Sequence, residues 1–115
     1  GTIWDVKTTS KAVDDESLGK IIYDHGYHFS AAHHMKCVEL CGYQANSFGW
    51  IFVSTSTPCP HIVVRRASRE VLEAGKNDWK YAFEMYRSCK QNDSWPGYDE
   101  EIREISFPEW IERKY

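Results

Sequence analysis

Residues Thr2 to Thr9 run Thr-Ile-Trp-Asp-Val-Lys-Thr-Thr, alternating along their length. A period of two is the pattern of a half-buried strand, and it puts Asp5 and Lys7 on one face while Trp4 and Val6 take the other. Strand geometry separates the Asp5 and Lys7 Cα atoms by roughly 6.6 Å. After a polar stretch ending in Asp14 and Asp15, good helix-capping residues, Leu18, Ile21 and Ile22 mark one face of a short helix that Gly26 is placed to stop. A second helix is predicted from Tyr27, with a buried stripe of Tyr27, Ala31, His34, Met35, Val38 and Cys41, ended by Gly42.

Two short apolar runs follow, Trp50 to Ser54 and His61 to Arg66, separated by Thr57-Pro58-Cys59-Pro60. Prolines forbid regular structure there, so the pattern predicts strand, loop, strand with antiparallel pairing. Ser68 is placed to cap a long third helix reaching about Cys89. Its stripe is Leu72, Gly75, Trp79, Ala82, Phe83 and Tyr86, and a glycine on that face predicts close backbone approach to the sheet. Asn92 to Tyr98 reads as a turn-rich loop, Ile105 to Phe107 as a short edge strand, and Pro108 as the first turn of a last helix carrying Trp110. Strands and helices alternate without repeats, which predicts an α/β or α+β fold with a small mixed sheet flanked by helices.

At 115 residues, the expected organisation is a single domain, 1–115. An aromatic share of 15% argues for a packed fold and against a disordered segment. The net charge of −3 provides no global basic field for nucleic acid, so DNA binding would need a local groove. No run of 18 apolar residues offers a membrane span. Cys37, Cys41, Cys59 and Cys89 form no C-x-x-C pair, so reduced thiols in a cytoplasm are expected, with a Cys41–Cys59 bridge left open. The sequence opens on Gly1 at the edge of its most informative strand. Because a strand needs a neighbour, a longer or processed parent protein is expected.

Asp-X-Lys on a strand is half of the active-site pattern of the PD-(D/E)XK nucleases, and by itself it is short enough to be an ordinary cross-face ion pair. The order of further segments resembles the RecE-type exonucleases (exonuclease VIII) of that superfamily. The resemblance begins at Trp4-Asp5-Val6-Lys7-Thr8-Thr9 and continues through Tyr23-Asp24-His25-Gly26-Tyr27-His28 with Ala31-Ala32. It resumes at Ala74-Gly75 and Ser94-Trp95-Pro96-Gly97-Tyr98, and closes with Ile105-Ser106-Phe107-Pro108-Glu109-Trp110.

That resemblance implies the C-terminal half of a nuclease domain that hydrolyses duplex DNA from 5′ ends in phage or prophage recombination. It implies Asp5 as a ligand of Mg²⁺ or Mn²⁺, the Val6 carbonyl as a further ligand, and Lys7 as the group that orients water and stabilises charge. Thr8, Tyr27, Ser30 and His34 are the implied contacts to phosphate or substrate. DNA ends, a single-strand annealing protein and further copies of the chain are the implied partners, in the cytoplasm of a bacterial or phage-infected cell and away from any membrane.

Two departures limit that reading. The pattern's other metal-binding Asp, with a Glu and a His, would stand before Gly1, so this chain alone is expected to be inactive. The family's Gln and Tyr on the following helix are here Ser30 and His34. Those departures support a competing reading, a catalytically incomplete nuclease-derived module that binds or inhibits a partner. Two weaker constellations remain. Ser30, His34, Cys37 and Cys41 share one helical stripe and His33 pairs with Cys37 on another, too few ligands for a closed Zn²⁺ or Fe–S site. Arg65 and Arg66, with Arg69 and Lys76 beyond, suggest a DNA track, although Glu70 and Glu73 interleave with them.

Overall fold

The computed structural model describes residues 1–56, 58 and 60–115. The Cys41–Cys59 bridge that the sequence left open involves a residue outside that set. Seven elements follow one another: β1 (Thr2–Thr9), α1 (Asp15–Asp24), α2 (Tyr27–Leu40), β2 (Ser47–Ser54), β3 (Ile62–Arg66), α3 (Arg69–Asn92) and α4 (Glu109–Glu112). The strands form a mixed sheet in the order β1-β2-β3. β1 and β2 pair in parallel with Asp5 opposite Trp50 and Lys7 opposite Phe52, while β2 and β3 are antiparallel with Trp50 opposite Arg65. Parallel neighbours need a crossover, and α1 with α2 supplies it.

The core lies on one face of this sheet. Phe48, Trp50 and Phe52 alternate along β2 and are its largest fully buried side chains, with ring centroids 5.3 and 6.4 Å apart. Leu18 and Ile21 of α1, Ala31 and Met35 of α2, and Val71 and Leu72 of α3 pack over them. Full burial of each Phe is worth about 1.5–3 kcal/mol, so this row is the main apolar anchor of the fold. The indole N–H of Trp50 has no partner among the described residues, a local cost of about 1–3 kcal/mol. The opposite sheet face carries Trp4, Val6, Ile62 and Val64, all exposed. There the Trp4 ring lies over Gly49, where any Cβ would sit 2.3 Å from it.

Local chemistry fixes the helix ends. Asp14 caps α1, its carboxylate accepting from the Ser17 hydroxyl at 2.6 Å and the Ser17 N–H at 3.1 Å. Those two bonds, the hydroxyl's first, hold the Asp14 carboxyl below the usual value of 3.8. Gly26 turns the chain from α1 into α2 with φ +67°, a left-handed conformation that glycine takes without strain. Ser68 caps α3 by accepting from the Val71 N–H at 3.2 Å.

Four expectations need correction. The buried side of α2 is His28, Ala31, Ala32 and Met35, rotated from the predicted stripe, and His34 and Cys41 are exposed. The neighbour that α3 approaches through Gly75 is α2: a Cβ there would lie 2.1 Å from the His28 carbonyl oxygen. β2 begins at Ser47, three residues before the predicted start, with the Ser47 and Thr2 hydroxyls 2.6 Å apart. Ile105 to Phe107 forms no strand and is exposed; among the described residues no neighbouring backbone completes a ladder there.

Candidate functional site

β1 is an edge strand, and its alternation turns Ile3, Asp5 and Lys7 toward the helix-covered face. Lys7 Nζ is 3.1 Å from Asp5 Oδ2, and each side chain keeps 28% of its surface open to solvent. The pair is therefore held by the fold yet reachable from outside. Tyr27, the first residue of α2, sets its ring 4.6 Å from the Lys7 ammonium. A cation over an aromatic face gains about 0.5–2 kcal/mol, and it narrows where the flexible lysine stem can swing. The Gly26 turn is what delivers Tyr27 to this spot.

The other expected site residues spread out. Ser30 is half-buried and His34 exposed, three and seven positions after Tyr27 along α2. The His34 ring stacks 6.3 Å from Phe48, near the start of β2. Neither makes a polar contact with Asp5 or Lys7 among the described residues. Thr8 is exposed and shares its side of β1 with Val6, facing away from Lys7, because adjacent strand residues point to opposite faces. The same alternation divides the expected arginine track. Arg65 Nε donates to Asp15 Oδ1 at 2.7 Å on the helix side, whereas the Arg66 guanidinium stands 6.0 Å from the Trp4 ring on the open side.

Among the described residues no three His, Cys, Asp or Glu side chains gather around a point. A hard divalent cation at this site would have Asp5 and backbone oxygen from the chain, and Mg²⁺ commonly takes only one or two carboxylates with waters and substrate phosphate. The donor chemistry fits such an ion. The histidine and cysteine stripe resolves differently. The Trp79 indole N–H donates to His33 Nδ1 at 3.0 Å, and His33 Nε2 is 3.6 Å from Cys37 Sγ. Cys41 is exposed one turn further on.

One residue with a structural role was not singled out from sequence. His28 is buried, its Nε2 3.0 Å from Asp78 Oδ2 and its Nδ1 3.4 Å from the Ile22 carbonyl oxygen. It ties α2 to α3 and to the end of α1. The available signal was spacing: His28, Ala31, Ala32 and Met35 recur at i, i+3, i+4 and i+7.

No protein-family model matches the chain, and no curated protein matches its sequence. Its fold does have a solved counterpart, described as a putative exonuclease from Eubacterium rectale, with a TM-score of 0.64 at 15% identity. The match covers 98% of this chain and 46% of that one, so the chain spans about half the length of its structural neighbour. At that identity the likeness establishes the fold: a mixed α/β arrangement with a small three-stranded sheet and helices packed on it.

Proposed function

We propose that this chain supplies part of the active site of a metal-dependent DNA exonuclease of the RecE-like, PD-(D/E)XK type. The observation that carries the reading is the Asp5–Lys7 pair, 3.1 Å apart on one face of an edge strand and braced by Tyr27. A neighbour of the same fold described as an exonuclease, and the order of segments along the sequence, support it.

Asp5, with the Val6 carbonyl, would hold Mg²⁺ or Mn²⁺, an ion that when bound polarises phosphate and makes water a stronger nucleophile. The chain's own contribution centres on Lys7. Its ammonium donates to the attacking water and to a phosphoryl oxygen on which negative charge grows, the kind of fixed donor that lowers the barrier of phosphoryl transfer. Asp5 and Tyr27 hold that ammonium in place before substrate arrives, so less reorganisation is needed at the moment of reaction. A second reading is a nuclease-derived binding module, favoured by Ser30 and His34 standing where the resembled family carries Gln and Tyr.

The test uses the longest natural polypeptide that carries this sequence, incubated with linear duplex or closed circular DNA. Mg²⁺-dependent release of nucleotides from the linear form alone is expected, with 5′-labelled ends lost first. Intact linear DNA, with the protein folded and bound to it, would leave the binding-module reading in place.

A further inference from the structure

α3 gathers its cations on one side. Its five basic residues are Arg69, Lys76, Lys80, Arg87 and Lys90. At 100° per residue they fall within roughly 40° of one direction, and Glu70, Glu73, Asp78 and Glu84 fall outside that arc. From Lys76 to Lys90 the ridge is about 21 Å long. Among the described residues Lys80, Arg87 and Lys90 form no ion pair, and Lys76 comes only to 4.0 Å from Glu73.

Two shallow grooves lie along the ridge. One, of about 410 Å³ between α2 and α3, pairs Met35 and Trp79 with Lys36, Lys76 and Lys80 against the single carboxylate of Glu39. The other, of about 580 Å³, is lined by Phe83, Tyr86, Arg87, Lys90 and Gln91. The aromatic rings between the cations are held in place. Phe83 stacks on Trp79 at 5.1 Å, and Trp79 is anchored by its bond to His33. Phe83 and Tyr86 each keep about half of their surface exposed.

We infer that this ridge is a track for single-stranded DNA, separate from the Asp5–Lys7 edge, an assignment that rests on the nuclease reading above. A row of cations interleaved with exposed, fixed aromatic rings is the chemistry that binds a single strand without regard to sequence, phosphates on the cations and bases on the rings. Cations about 4.5–10 Å apart along the helix match a strand presenting one charge every few ångströms. A chain with a net charge of −3 concentrates its attraction for a polyanion here. Lys36, which shares the first groove with Lys76 and Lys80, lies in the later turns of α2, whereas Tyr27, which meets Lys7, is its first residue.

The experiment is binding of a fluorescent oligothymidylate by anisotropy, in EDTA so that no cleavage intervenes, across a range of salt. The triple variant Lys80→Ala, Arg87→Ala, Lys90→Ala is expected to lose tenfold or more in affinity, and to flatten the dependence of log K on log salt by about two. Phe83→Ala is expected to weaken the single strand roughly tenfold and duplex much less. A control triple, Lys20→Ala, Arg113→Ala, Lys114→Ala, changes charge equally away from the ridge. An equal loss in that control, or an unchanged salt slope in the ridge variant, overturns the assignment. So does competition by polyglutamate matching that of oligothymidylate with Phe83→Ala silent, which would mark an acidic protein as the occupant. Because binding is read without metal, these outcomes are separate from whether Asp5 and Lys7 cleave DNA.

Discussion

Replacing Lys7 by alanine, in the natural polypeptide that carries this sequence, is expected to cut Mg²⁺-dependent degradation of linear duplex by roughly 10²–10³-fold. On the proposed function, what is lost is a fixed cation aimed at charge that develops only in the transition state, and that sets the size. Stability should change little. An accessible ion pair contributes about 0–1 kcal/mol, and the contact with Tyr27 adds about as much. The variant should therefore keep a near-normal urea midpoint and near-normal affinity for DNA. Lys7→Arg should not restore the rate, because a planar guanidinium cannot place its donors where a compact ammonium does. Undiminished degradation by Lys7→Ala would remove this residue from the mechanism.

Gly75→Ala is expected to be the most damaging single substitution for the fold. An alanine in the middle of a helix normally stabilises by about 1 kcal/mol over glycine. Here the added methyl would lie 2.1 Å from the His28 carbonyl oxygen and 2.7 Å from its carbon, both backbone atoms with nowhere to swing. α2 and α3 would have to part, straining the 3.0 Å bond between His28 and Asp78. Overpacking of this kind costs about 1–3 kcal/mol and occasionally more, and backbone contact puts it at the upper end. For a domain of this size the melting temperature should fall by about 10–20 °C. Gly19→Ala in α1, where nothing lies within 4 Å, should do the opposite and stabilise slightly. Thermal unfolding of the two variants checks both signs, and a stabilised Gly75→Ala would contradict the close helix packing.

Local pattern made most elements legible. The alternation of Thr2 to Thr9 placed β1 and put Asp5 beside Lys7; Asp14 and Ser68 marked real helix starts; the two apolar runs around the prolines became an antiparallel pair. What failed depended on tertiary partners. The stripe of α2 was ambiguous because Tyr27, His28, Ala31, Ala32, His34 and Met35 fit two overlapping faces. Only the approach of α3 through Gly75 decides between them, burying His28 against Asp78. A glycine on an apolar stripe signals a near neighbour without naming it. Ile105 to Phe107 has strand composition yet lacks a partner strand among the described residues, and a strand is a property of two segments.

The candidate site was legible to the same extent. Asp5 and Lys7 are two apart on one strand, so their meeting needs nothing but the pleat. Tyr27 joins them through the turn at Gly26, which sequence signals only as a helix stop. Thr8 came from the family resemblance and Arg65 with Arg66 from adjacency, and the period of two sends neighbours on a strand to opposite faces. Most of the α3 ridge was open to sequence: the helix expected to about Cys89 already holds Arg69, Lys76, Lys80 and Arg87, and the observed end at Asn92 adds Lys90.

The most direct measurement is the position of a divalent cation in crystals soaked with Mn²⁺, read from anomalous scattering. An ion bound to the Asp5 carboxylate, next to the Lys7 ammonium and absent from an Asp5→Asn crystal, is the predicted result. An ion ordered elsewhere with Asp5 still paired only to Lys7, or one that persists unchanged in Asp5→Asn, would contradict the account.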